Sequence, residues 1–327
     1  MIMISIAIWG LLLYGAYKIV NYFFSRSKNL NRLYAVSRKG NGAYDIDFSR
    51  VSLKNSDLRG LNLQGINFRG ANLEGTNFEG ANLAGVNFEY AQLTNTNFKK
   101  SNLSDSNLTR AKIWSNFEGA CLERAVIVAA NANGANFDGA NLRSTNLKGA
   151  FASAATFNNA NLEEADMENV FMQNAEFFET NLKGAKLVKA DLQKSNFLKA
   201  NLEGSDLALA ELQEASLNYA NLQDASFEKA MMSFASLQYT NLIKTDFSFA
   251  SMIEVNFYCS NLENTNMRGA NLTDASFRSS TLVAVQFFES NLKNADFLNA
   301  VINNSSLEFA EIDGVDLTIA KSISSDL

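Results

Sequence analysis

Two adjacent carboxylates, Glu163 and Glu164, are the closest this sequence comes to a pair built for acid–base work. Such work needs titratable groups held in a cleft that sets their proton affinities apart. Here acid and base instead alternate at one interval: Glu163, Lys183 and Glu203, then Asp166, Lys186 and Asp206, with Glu179 twenty residues from Lys199. That pattern reads as ladders of surface charge. The sequence has no histidine, so the usual general base and commonest metal ligand is missing. Its two cysteines, Cys121 and Cys259, stand 138 residues apart and read as free thiols of a reducing compartment. No nucleophile–base pair, Gly-rich phosphate loop or metal-ligand spacing is found. The expectation is a protein without catalytic residue, cofactor or metal, and not an enzyme.

The interval that spaces the charges also organises the whole chain. Residues 71 to 90, ANLEGTNFEGANLAGVNFEY, are four copies of a five-residue phrase: a small residue, Asn, a large apolar centre, then two variable positions. Centres fall every five residues from Phe48 to Ile113 and again from Phe117 to Leu317, giving 55 repeats. A higher period is superimposed. Phe137, Phe157, Phe177 and Phe197 recur every 20 residues, as do Leu122, Leu142, Leu162 and Leu182 on the next repeat. Like residues at one spacing stack, so four repeats make one four-sided coil. Between Ile113 and Phe117 one residue is missing, yet Phe78 and Phe98 still precede Phe117 when repeats are counted. One coil is therefore expected to absorb the deletion. The chain has no Pro, as a uniform ladder requires.

The phrase AlaAsnLeu at 71 to 73, 81 to 83, 140 to 142, 160 to 162, 200 to 202, 220 to 222 and 270 to 272 resembles the A(D/N)LXX pattern of the pentapeptide-repeat family. The resemblance implies an all-β fold, a right-handed quadrilateral β-helix with the centre and the preceding small residue pointing inward. At about 4.8 Å per coil, nearly 14 coils make a rod of roughly 65 Å.

Ahead of the repeats, residues 1 to 17 carry no charge and the apolar character resumes after Lys18. As a helix, residues 1–24 would span about 36 Å, enough to cross a bilayer. Arg26, Lys28, Arg32, Arg38 and Lys39 follow. By the positive-inside rule they would flank the membrane and leave the body in the cytoplasm. The expected organisation is an N-terminal hydrophobic membrane-anchor helix (1–24), a basic juxtamembrane linker or capping segment (25–45) and the β-helix (46–327). A buried capping helix is the alternative for the apolar segment. Leu30, Leu33 and Tyr34 predict a short basic helix over 27–39 at the membrane surface.

One region breaks the pattern. Trp114 sits outward beside the missing residue, and the same side then has Ala132 and Ala152 as centres, with Phe151 and Phe171 where Asn or Asp belongs. Pointing outward, Trp114, Phe151 and Phe171 form an apolar partner patch; alternatively, Phe151 tilts inward over Ala152. At the far end Glu308, Glu311, Asp313 and Asp316 look like charges that discourage edge pairing. A homodimer through the C-terminal coil stays open.

The body is acidic. The first 44 residues hold six of the 28 basic residues and no acid, leaving 22 basic against 34 acidic residues, a net of −12. The leading functional expectation is a membrane-tethered, single-pass scaffold presenting a rigid β-helical surface to an unknown protein partner, without direct nucleic-acid binding. The alternative, implied by the family resemblance, is a DNA mimic that binds DNA gyrase, as quinolone-resistance members do. Against it, one net charge per 5 Å or so is sparse beside duplex DNA, with one per about 1.7 Å. A translocated effector leaves no distinguishing residue.

Overall fold

Each repeat begins with three residues that alternate in, out and in, as a short strand does, and ends on two that face outward. The computed structural model describes residues 26–38 and 46–324. In it the outward residue of each triplet bridges in parallel to its equivalent one coil on. Asp57 pairs with Asn77, Asn62 with Asn82, Asp47 with Asn67 and Ser52 with Asn72. These four ladders define four sides, here A, B, C and D in that order. The expected four-sided coil is therefore present.

The missing residue is absorbed in one coil. Asn97 bridges to Asn116 and Lys112 to Asn131, nineteen residues on, whereas Asn116 bridges to Asn136, twenty on. The residue left out is the corner residue after Trp114, where the chain turns from side D to side A.

Three backbone bonds per repeat hold the coils together. Phe78 N–H donates to the Asn97 carbonyl (2.7 Å), Asn97 N–H to the Thr76 carbonyl (3.0 Å) and Gly75 N–H to the Thr94 carbonyl (3.0 Å). Asparagine is frequent because its side chain bonds in two directions. Asn82 Oδ1 accepts from its own turn at Ala84 N–H (3.3 Å), while its Nδ2 donates to Asn62 Oδ1 in the coil below (2.9 Å). Every corner residue from Arg50 to Gly314 has positive φ, as at Gly269 (φ 62). There a Cβ would also meet the Phe249 ring at 2.6 Å. This left-handed corner is one proline cannot adopt.

Inside, the large centres are buried without exception from Phe48 to Phe297, and the small inward residues between them are buried too apart from the partly buried Val51 and Leu61 of the first coil. Phe117, Phe137, Phe157, Phe177 and Phe197 stack face to face with centroids 4.6 to 5.1 Å apart, close to the rise of one coil. Most buried hydroxyls at the small position bond to carbonyls, as Thr76 Oγ1 does to Leu53 (2.8 Å), while Ser106 and Ser290 have no partner.

The two ends differ. Helix α1, residues 26–37, covers the first coil. It buries Leu33 completely, and the Tyr34 hydroxyl donates to the Asp57 carbonyl (2.7 Å) while Ser37 Oγ accepts from Asn62 N–H (2.9 Å). At the other end, β1 (Thr281–Val283), β2 (Val301–Asn303) and β3 (Lys321–Ser324) form a parallel sheet in that order along side B. Before β3, Asp316 caps the 3-10 turn Leu317–Ile319 by accepting from Thr318 N–H (2.9 Å).

Two expectations are corrected. Among the described residues no helix is long and apolar enough to cross a membrane, which overturns the single-pass membrane placement with a cytoplasmic body. The helix present is short, about 18 Å for twelve residues, and basic rather than hydrophobic. Two of its three charges engage the solenoid: Arg26 donates to the Asn55 carbonyl (3.1 Å) and the Arg32 guanidinium lies 4.9 Å from the Phe48 ring centroid. The proposed anchor, residues 1–24, and Lys39 lie outside the described residues.

Candidate functional site

Side D changes character at the short coil. Trp114 occupies the first of the two outward positions, and its indole N–H donates to Asn131 Oδ1 in the coil above (2.7 Å). Asn131 bridges to Phe151, and Phe151 to Phe171. At the outward ladder position a phenylalanine cannot make the Asn bonds, so its ring either lies over the surface or turns in. The rings lie over the surface: Phe151 is 44% and Phe171 40% exposed, stacked at 4.9 Å and 6°. Phe151 therefore does not fill the space above the buried Ala152. Trp114, 49% exposed, reaches the two phenylalanines through Asn131 rather than by a stack. Between Lys112 and Asp191 the outward positions of side D and its corner hold no charged residue.

The other sequence candidates separate from this patch. Glu163 and Glu164 sit on side B and both meet Arg143, at 3.7 and 3.2 Å. Lys183 pairs with Glu203 (2.8 Å) and Lys199 with Glu179 (3.1 Å) as the spacing suggests, but Asp166 turns to Lys148 (3.0 Å), not to Lys186. The Glu203 partner holds the Lys183 ammonium above its ordinary pKa. Cys121 and Cys259 are free and half-buried. Arg26 and Arg32 are engaged at the N-terminal cap, and Lys28 and Arg38 lie exposed on and just after α1.

Sequence reasoning missed two features. Tyr219, Tyr239 and Tyr258 form an exposed row beside side A, with centroids 4.8 and 5.5 Å apart, and hydrogen bonding with Cys259 raises the Tyr258 pKa. The first two are corner residues spaced by 20, a signal that was in the sequence. The second is a notch of about 550 Å³ where the corner residue is absent, lined by Trp114 and by Asn95, Asn116, Asn133 and Asn136. Counting positions by coil would have gathered those asparagines.

Four parallel ladders around an interior of one large and one small residue per five define a pentapeptide solenoid with an apolar patch on one side. The chain belongs to the pentapeptide repeat family. The family model, "Pentapeptide repeats (8 copies)", matches from residue 46 to 114 and from 120 to 318 in overlapping segments, and the break falls at the short corner. No curated protein matches the chain. Among solved structures it is similar to HetL, a pentapeptide repeat protein involved in heterocyst differentiation regulation from Nostoc sp. strain PCC 7120. Identity there is 23%, over 84% of this chain and 95% of that one, with a TM-score of 0.25. It is similar also to Rfr23 from Cyanothece 51142 (23%, 40% and 86%, TM-score 0.31). QnrB1, a plasmid-mediated fluoroquinolone resistance protein, matches at 16% identity over 67% and 91% of the chains with a TM-score of 0.35. At these scores no property of those proteins carries over.

Proposed function

We propose that this protein is a non-enzymatic scaffold that presents a rigid side to a protein partner, and that the partner docks on side D across Trp114, Phe151 and Phe171. The observation that supports this reading is the stacked, outward pair Phe151 and Phe171, which replaces ladder residues within an uncharged stretch. Exposed aromatic rings in a neutral surround are the makings of a binding hot spot. The test uses Phe151→Asn with Phe171→Asn, which restores the ladder residue used elsewhere and so spares the fold. Quantitative mass spectrometry of proteins captured by the wild type and by this variant should show a partner lost at least tenfold. Equal capture of every protein would overturn the reading.

A gyrase-binding DNA mimic is the second reading, motivated by the acidic body. The acids are interleaved with bases in ion pairs such as Lys54 with Glu74 (2.8 Å), Arg124 with Asp105 (2.8 Å) and Arg278 with Asp296 (2.9 Å). No unbroken acidic stripe results, which ranks it below the scaffold. Inhibition of gyrase supercoiling by sub-micromolar protein would reverse that order. Self-association through the C-terminal coil is a further occupant to exclude, read by light scattering over a concentration series.

A further inference from the structure

The notch at the short corner is not an apolar docking face. Its wall is the Trp114 indole, fixed by the bond to Asn131, and its remaining surface is polar and mostly amide: five asparagines, among them Asn116 and Asn133, with Thr96, Ser115 and Gly134 between them. No charged side chain lines it. Its volume, about 550 Å³, falls within the roughly 300–1,000 Å³ of small-molecule sites.

The missing residue also leaves backbone groups open. In a complete repeat the corner N–H donates to the coil above, as Gly119 does to Asp138 (2.9 Å), and the next small residue donates back to the centre, as Ala120 does to Phe117 (2.9 Å). Among the described residues nothing donates to the Asn133 carbonyl, and Ser115 N–H donates to no carbonyl. Asn133 Oδ1 accepts from Ser153 N–H (2.9 Å) and Asn116 Oδ1 from Glu118 N–H (2.9 Å). Each oxygen thus already accepts one bond from the frame, and both amide N–H₂ groups are left to donate.

A ligand that fits must be neutral, must offer donors and acceptors together, and must have a face of C–H groups for the indole. Ions fail the first condition, and a purely apolar group would cover the Asn133 carbonyl and the amide N–H₂ groups without bonding them. A sugar ring meets all three. We infer that this notch is a binding subsite for a neutral saccharide, with Trp114 as the stacking wall and Asn116, Asn133 and the Asn133 carbonyl as its hydrogen-bonding groups. The inference goes beyond the proposed scaffold role and shares only Trp114 with it.

The experiment is a fluorescence titration of the full chain carrying Trp9→Phe, which leaves Trp114 as the emitter, since the sequence has two tryptophans. The probes are cellohexaose, maltohexaose, xylohexaose and chitohexaose. At least one should shift the emission saturably. Asn133→Ala and Asn116→Ala should each weaken that sugar roughly tenfold. Inserting one Gly between Trp114 and Ser115 restores the five-residue spacing, keeps the indole and should abolish the response. No saturable change with any probe at millimolar concentration, or an undiminished response from the insertion variant, would overturn the inference. Phe151→Asn with Phe171→Asn should leave the sugar response intact, so failure here and failure of the protein-docking reading are read separately.

Discussion

At the scale of the residue, two features decide most of what the chain does. One is the two-way hydrogen bond of the ladder Asn, which binds its own turn and the coil below; where Phe replaces it at 151 and 171, the ring has no polar role and lies on the surface. The other is the left-handed corner. Gly75 (φ 67) packs so closely that a Cβ would come within 2.1 Å of Asn55 Oδ1. Gly75→Val should therefore destabilise the first coils by about 1–3 kcal/mol, measured by chemical denaturation, while Gly80→Asn, at an open corner, should be near neutral. Charge acts more weakly. The Arg59 side-chain hydrogen bond lowers the Asp57 pKa to about 2. A carboxylate depressed in the folded state adds stability above its unfolded pKa and loses it as pH falls through the folded one. The Asp57 share is thus complete above about pH 4 and gone below about pH 2. Arg59→Ala should move the Asp57 midpoint back towards 3.8, read by carboxyl carbon NMR. The pair is exposed to solvent, which keeps the effect on unfolding small.

At the scale of the element, the coil was legible in the sequence, and the cap only as one of two readings of residues 25–45. Residue identity kept at intervals of 20 gave the four sides, and its persistence across the Ile113 to Phe117 gap located the short coil. Corner conformation, ring direction and the asparagine notch depend on what the neighbouring coil places alongside, so five-residue counting could not reach them. Residues 27–39 read as helical for their Leu and Tyr spacing, but the basic charge suggested a membrane surface. The apolar side instead goes to the open edge of the first coil, where Leu33 is buried and the Tyr34 and Ser37 hydroxyls meet its backbone. Leu33→Ala should cost about 2–5 kcal/mol. Because each repeat leans only on its neighbours, the loss should be local. Hydrogen exchange should accelerate over residues 46–66 and stay unchanged around residues 200–240.

At the scale of the whole molecule, a rod of roughly 65 Å acts through its sides. Sides B and C carry charges in most coils, many in ion pairs, whereas side D between Lys112 and Asp191 and the adjoining side A between Lys199 and Arg278 each have an uncharged stretch with three exposed rings. That asymmetry is what makes the molecule directional as a scaffold. The most direct test places a photo-crosslinking amino acid at Ser153 on side D or at Gln223 on the opposite side B of the full chain, in the cells that produce it. The account predicts a discrete higher-mass adduct from position 153 that is absent from position 223 and disappears with Phe151→Asn and Phe171→Asn. Adducts of equal yield from both sides, or an adduct at 153 indifferent to the two phenylalanines, would contradict it.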